Sequence, residues 1–442
     1  MRFTGGHRIV FSLIAIAMVA LPCFSAAAES ENFFTLQKSL AEAMERSYRV
    51  HARLEGIDQA SSVRKQARAD FLPKFSTSYG YLRLNEPGIV VSPTSGTVSV
   101  TSKDIYNWTT TVQQPLFTGF ALLSTYRLAE LGIDQSQLEL DLEKLDLAVV
   151  VKQAYFNVLA ADKAVEVAQK DVESRKSNAE VARNFYSVGM IPINDLLKAE
   201  VELANSEQNL VKAISAAQVT RSTFNTVLVR PINKPVELED ILTYIPEHGT
   251  YEGYLEKAMS DRPEIKLLDV NLLQIDQQIR LAKSRYYPEA SLQYQYSKEG
   301  DSPSVDGGNP SLEPNSWQVT AVVNWTFWEW GKTYFAGREQ ESKKRQLVQT
   351  KLDVENGIRL EVKQAMADLE VAEKNVPTTI KAVQQGEENL RVNEERYKAQ
   401  VTTITEVLDA QTLLTQARVN YYRALYDHNL ARARLERAVG TY

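Results

Sequence analysis

The sequence predicts a mainly α-helical chain that carries a pair of membrane β-hairpins on duplicated, long antiparallel coiled-coil hairpins. Three observations predict it. First, the chain is built twice: Val151-Lys152-Gln153-Ala154 recurs as Val362-Lys363-Gln364-Ala365, 211 positions later. At the same offset, Tyr186 to Gly189 and Asp195-Leu196-Leu197 return as Tyr397 and Glu406-Val407-Leu408. Nearer the N-terminus, Leu40 to Met44 matches Leu255 to Met259, and Phe71-Leu72-Pro73 matches Tyr286-Tyr287-Pro288, now at an offset of 215. A change of offset confined to one loop marks two copies of one structural unit, which points to symmetric assembly more than to one asymmetric pocket. Second, apolar residues step by three and four over stretches far longer than an ordinary helix. Third, each copy holds two alternating segments of about ten residues, the length of a tilted membrane strand.

The first element, residues 1–28, reads as an export signal. Arg2 and Arg8 precede the apolar run Ile9 to Leu21, and Ala26-Ala27-Ala28 offers a small-residue cleavage site. The run is too short for a permanent membrane helix, and Pro22 fits poorly with lipid processing at Cys23. Cleavage after Ala28 leaves a chain without cysteine, so disulfide and thiol chemistry are excluded. The loss of Arg2 and Arg8 moves the net charge from −6 to −8, a mild acidity spread along the chain and unlike a nucleic-acid binder. No later stretch is apolar enough for a membrane helix, so any membrane span must be made of strands.

The first repeat covers 29–229. A helix leads to a β-hairpin at about 74–117, where Tyr106, Trp108, Thr110 and Val112 alternate with Asn107, Thr109, Thr111 and Gln113. The second repeat, 251–442, has its hairpin at about 290–328. There Ala290, Leu292, Tyr294 and Tyr296 alternate with Ser291, Gln293, Gln295 and Ser297, and Trp317 to Phe327 continues the pattern. A half-buried soluble strand alternates as well. The strand length, the small uncharged face and the aromatic clustering favour a bilayer. The loops Asn85 to Ile105 and Glu299 to Pro314, rich in Gly, Pro, Ser, Asp and Asn, suit an outward-facing end. Four strands cannot close a membrane barrel, and open edges in lipid leave unpaired amides, so other subunits must complete the sheet.

Long helices follow at about 120–186 and 331–397, with return helices at about 192–229 and 403–440. At 1.5 Å per residue each long helix reaches roughly 100 Å. Val151, Ala154, Val158, Ala161, Val165, Ala168 and Val172 form one seam, and Val362, Ala365, Leu369, Ala372, Val376, Thr379 and Val383 form the other. Leu196, Ala199, Leu203 and Val407, Ala410, Leu414 begin the return seams. Pro377, which stands where the first copy has Glu166, is expected to bend its helix. A Pro-rich linker, 230–250, joins the copies, and its Val236-Glu237-Leu238 reads as a short strand.

At this point the chain resembles the TolC-type outer-membrane efflux proteins over essentially its whole mature length. The resemblance rests on the duplicated helix, hairpin and long-helix plan. It rests also on the strand exit Pro115-Leu116-Phe117-Thr118-Gly119 and on Tyr186, Gly189 and Asp195-Leu196-Leu197 at the helical turn. It implies a homotrimer whose twelve strands form an outer-membrane β-barrel in lipid, continuous with an α-barrel tunnel through the periplasm. It implies further the passive exit duct of a tripartite efflux pump or type I secretion system, docked to a periplasmic adaptor and an inner-membrane transporter.

By position, the family's periplasmic gate falls on Glu406 and Asp409, three apart on one helix face, with Asp195, Lys198 and Tyr397 nearby. Threefold symmetry would make the two acids a ring of carboxylates that attracts cations. Thr403-x-x-Glu406 is equally a capping box. Where a family member has an arginine that latches the turn, this chain has Thr402, so Lys198 and the acids are expected to hold the closed state instead. Val188, Gly189, Met190, Leu196 and Leu197, with Val401, Val407 and Leu408, are candidates for adaptor docking, although leucines there also suit the seam and Gly189 a helix cap. His7, His51, His248 and His428 have no metal-ligand spacing; His428 falls on the return-helix seam, where packing is its expected role. No phosphate loop or nucleophile motif occurs, so neither cofactor nor catalysis is expected. The competing reading is a periplasmic coiled-coil adaptor or scaffold, which would have no need of four aromatic-rich alternating strands.

Overall fold

The computed structural model describes residues 32–93, 96–99, 101–307 and 314–442. The proposed leader, with His7 and Cys23, lies outside the described residues.

In chain order the elements are β1 (Phe33–Phe34), α1 (Leu36–Arg46), α2 (Tyr48–Ala69), β2 (Lys74–Arg83), β3 (Ile89–Ser92), β4 (Gly96–Ser99) and β5 (Asp104–Thr118). There follow α3 (Ala121–Ser187), α4 (Ile193–Val227), β6 (Glu237–Leu238), α5 (Tyr251–Asp261) and α6 (Pro263–Lys283). Last come β7 (Glu289–Gly300), β8 (Asn315–Asn324), α7 (Lys332–Lys398) and α8 (Ile404–Val439). Here α3 and α7 are 67 residues each, so each is about 100 Å long.

Four strands make one antiparallel sheet in the order β2-β5-β7-β8. Its register separates two faces, because strand side chains alternate. On one face Phe75, Val112, Tyr294 and Val319 lie in a row, above Thr77, Thr110, Tyr296 and Trp317. On the other lie Ser76, Thr111, Gln295 and Gln318, and then Ser78, Thr109, Ser297 and Ser316. Side chains on this polar face bond along and across strands: Gln318 Nε2 donates to Gln295 Oε1 (3.2 Å), Gln295 Nε2 to Ser297 Oγ (3.2 Å), and Thr109 Oγ1 lies 3.2 Å from that same Oγ. The chain therefore presents one aromatic face and one hydrogen-bonding face that carries charge only at its ends, at Lys74 and Glu289 on one side and Glu299 on the other.

Two features differ from the sequence reading. The loop after β2 carries its own small hairpin, β3-β4, which pairs Ile89 with Ser99 and Ser92 with Gly96; its Gly and Ser content had marked it only as loop. The last strand stops at Asn324, whose partner Glu289 is the first residue of β7, so Trp325 and Phe327 have no strand beside them within the chain.

The helices carry the sheet. Within each copy the long helix pairs with its return helix, α3 with α4 and α7 with α8, and α3 also packs against α8, which joins the copies side by side. Nearer the sheet, α2 packs on α3, and α6 fills the position between α3 and α7. In the second copy the seven-residue seam is buried or half-buried throughout, from Val362 through Ala365, Leu369, Ala372, Val376, Val383 and Leu390 to Tyr397. Pro377 does not interrupt α7: its ring faces solvent, and Thr378 and Thr379 donate their hydroxyls to carbonyls of the preceding turn.

Midway along, the linker is strapped to the shaft. The strands β1 and β6 pair in parallel, and the fully buried Tyr155 of α3 places its hydroxyl 3.1 Å from the Phe34 carbonyl and 2.8 Å from that of Glu239. Burial pushes the Tyr155 phenol far above its usual range, so it stays a donor at any physiological pH. Farther along the linker, Tyr244 meets the buried ring of His428 edge-on, at 5.0 Å.

Candidate functional site at the helical tips

Each long helix ends in the same backbone device. In the first copy Met190 N–H bonds to the Phe185 carbonyl (2.8 Å) and Gly189 N–H to that of Tyr186 (2.9 Å). In the second, Val401 N–H bonds to Arg396 (2.9 Å) and Gln400 N–H to Tyr397 (2.9 Å). These are two Schellman motifs, each requiring a left-handed residue, and Gly189 (φ 72°) and Gln400 (φ 59°) both supply it. The backbones of the two turns are thus equivalent although their side chains are not. The return helices start at the N-caps Pro192 and Thr403; Thr403 makes no side-chain capping bond, so the capping-box reading of Thr403 and Glu406 is not realised.

The tips share one apolar core that includes Ala182, Leu196, Ala199, Leu390, Tyr397, Ile404, Val407, Leu408 and Leu414. This divides the candidate docking residues. Val188, Gly189, Met190, Leu197 and Val401 are exposed, whereas Leu196, Val407 and Leu408 are interior and serve packing.

The candidate gate residues also separate. Tyr397 is buried against Phe185, with ring centroids 5.6 Å apart and a hydroxyl that has no hydrogen-bond partner among the described residues. Burial, with the Asp195 carboxylate nearby, pushes its pKa up. Glu406 and Asp409 are exposed on α8. Lys198 of α4 reaches α8 through a 3.4 Å bond to Thr405 Oγ1 and forms no ion pair among the described residues. Lys198, Asp409 and Glu202 line one open cleft between α4 and α8.

Above this cleft lies a polar layer that the sequence reading missed. Asp171 and Arg175 are both 6–7 % exposed and bonded at 2.9 Å. Arg175 also reaches Glu202 on α4 (2.9 Å) and Thr412 on α8 (3.1 Å), while Asp171 accepts from Gln411 (3.0 Å) and Thr415 (2.7 Å) of α8. One guanidinium and one carboxylate therefore hold three helices from both copies. A signal was present: Ala161, Ala168, Arg175 and Ala182 are seven apart, so Arg175 occupies a seam position. Its counterpart in the second copy is Gly386, where a Cβ would lie 3.3 Å from the Leu414 Cα; there the helices meet closely instead.

Among the described residues no three His, Cys, Asp or Glu side chains cluster to hold a metal ion.

Comparison with known proteins follows the duplication. A family model described as outer membrane efflux protein matches twice, over residues 40–228 and 254–441. The cobalt-zinc-cadmium resistance protein CzcC of Cupriavidus metallidurans is 20 % identical over 297 residues, covering 67 % of this chain and 68 % of that one. The outer membrane protein TolC of Vibrio cholerae is 22 % identical over 304 residues, with coverage of 67 % and 68 %. The crystal structure of the Campylobacter jejuni CmeC outer membrane channel superposes with a TM-score of 0.77 at 16 % identity, covering 92 % of this chain and 85 % of that one.

Proposed function

The chain belongs to the outer membrane efflux protein family, and from that premise we propose how its parts work. It is an outer-membrane channel-tunnel whose helical part lies in the periplasm. The observation that carries the reading is the open-edged sheet, aromatic on one face and polar on the other, with charge only at the strand ends, mounted on two tandem helical hairpins.

Three copies would supply twelve strands and close the sheet, with the aromatic face in lipid and the Ser, Thr and Gln face around a wet lumen. The chain then serves as a passive duct, without catalysis of its own, for a pump or a type I secretion system. Its exposed tip residues Val188, Gly189, Met190, Leu197 and Val401 are the surface for a periplasmic adaptor linked to an inner-membrane transporter. Exposed Glu406 and Asp409 would form an acidic ring at the tunnel mouth. Lys198 and Thr405, which already join α4 to α8, would help to hold that mouth shut, with Tyr397 packed behind it and Asp195 beside it.

Single-channel recording in planar bilayers tests the ring. The variant Glu406→Ala/Asp409→Ala is expected to conduct more and to lose block by divalent cations. Unchanged conductance and unchanged block would remove the acids from the gate.

A further inference from the structure

The internal duplication specifies how neighbouring copies pair. The inference rests on the closed-barrel reading and goes further, because it assigns a residue-by-residue register. Within one chain, β2 pairs with β5 as β7 pairs with β8: Lys74 faces Gln113, and Glu289 faces Asn324. Those partners are related by the same sequence offsets of 215 and 211 that relate the two copies. The remaining in-chain pairing, β5 with β7, joins the end of the first hairpin to the start of the second. Its equivalent is the join between β8 of one copy and β2 of the next, the two edges left open.

We propose that β8 and its extension through Glu329 pair with β2 of a second copy in the register of β5 on β7. Translated by the two offsets, Gln114 facing Leu292 becomes Trp325 facing the second copy's Thr77, and Gln113 facing Gln293 becomes Asn324 facing Ser78. The bulge between Pro115 and Phe117, with Leu116 turned out at 62 % exposure, becomes a bulge at Phe327, which is 79 % exposed. Beyond it, Phe117 and Thr118 facing Ala290 and Glu289 become Trp328 and Glu329 facing Phe75 and Lys74.

Face parity is carried over from the β5–β7 pairing by the offsets themselves, and two features not used in the construction agree with the register. Face parity matches, since aromatic-face residues Val323 and Trp325 meet Tyr79 and Thr77, and polar-face Asn324 meets Ser78; a one-residue slip would reverse this. Opposite charges face each other at Glu329 and Lys74. The arrangement also gives a partner to the stretch where β8 ends early, explaining why that stretch reads as strand but is unpaired in one chain. A two-residue slip keeps parity but separates Glu329 from Lys74 and misplaces the bulge.

Cysteine cross-linking of the full chain in outer membranes tests the register, and the one native cysteine, Cys23, lies outside the described residues. Facing residues of antiparallel strands lie within disulfide reach. Oxidation of Ser78→Cys/Asn324→Cys is expected to give a covalent trimer on non-reducing gels, and Ser78→Cys/Val322→Cys, the two-residue slip, far less. A reversal of that order, or a trimer by mass that neither pair cross-links, overturns the register while the trimer stands. A monomer overturns both. A charge swap gives a second reading. Lys74→Glu should lower the temperature at which the detergent-solubilised trimer dissociates by a few degrees, with added Glu329→Lys restoring it. Because Lys74 also bonds Asp70 at 2.9 Å, Asp70→Asn serves as the control. Failure of the swap to restore stability beyond that control overturns the Glu329–Lys74 contact.

Discussion

Two consecutive left-handed residues turn each strand exit into its long helix: Gly119 (φ 59°) and Phe120 (φ 70°) in the first copy, Trp330 (φ 52°) and Gly331 (φ 81°) in the second. The glycine and the aromatic exchange places between copies. At Gly119 the constraint is twofold, since a Cβ would stand 2.3 Å from the Ser284 carbonyl oxygen. Gly119→Ala should therefore destabilise by at least about 2 kcal/mol, combining left-handed strain with a backbone clash, and thermal melting of the detergent-solubilised protein would show it. Gln400→Gly should act in the opposite direction. It relieves a strained cap and should stabilise by about 1 kcal/mol, read from the same melt. The sequence marked Gly119 as part of the strand exit and Gly189 as a cap. It did not reveal that Phe120 adopts the same backbone, because the compensation there is tertiary: the Phe120 ring lies 5.5 Å from that of Phe117 and 5.6 Å from that of Tyr287.

At the scale of elements, an apolar seven-residue seam aligns helices but allows them to slip by a heptad, and buried polar residues are the usual means of specifying register. Arg175 and Asp171 have the position for that role. Arg175→Met leaves Asp171 buried without its cation and should cost about 3–5 kcal/mol; adding Asp171→Leu should recover part of the loss. Chemical denaturation of the three variants tests this, and a double variant no more stable than Arg175→Met would refute it. His428 gives a pH dependence. Burial against Tyr244 lowers its pKa below the ordinary 6.5, with Glu373 opposing and Arg432 assisting. The folded state then binds fewer protons than the unfolded one, so stability is full above that ordinary value and falls as pH descends through it. His428→Phe should flatten the melting temperature between about pH 7.5 and 5.5; an unaltered slope would assign it elsewhere. The apolar seams were legible because Val362 to Val383 keeps strict period. The polar layer was missed although Arg175 stands at seam spacing from Ala168 and Ala182, since charged residues on a helix ordinarily mark a solvated face and it is three-helix packing that buries these.

At the scale of the whole molecule, the strand faces were legible because alternation has period two and needs no partner to be seen. The end of β8 was not, because Trp325 to Glu329 lacks an in-chain partner. The two copies also explain the division of labour along the chain. Where they match, in sheet register and tip backbone, they build a repeating wall. Where they differ, as Arg175 does from Gly386 and Lys198 from Asp409, they would break the sixfold symmetry of the proposed trimer to threefold near its tip. The central claim is that this wall encloses a channel in the outer membrane. Separation of outer from inner membranes on a density gradient, followed by an alkaline wash of the outer-membrane fraction, tests it most directly. The protein should sediment with the outer membrane and stay there after washing, as an integral barrel does. Release into the alkaline supernatant would contradict the account and return the chain to the class of periplasmic coiled-coil scaffolds.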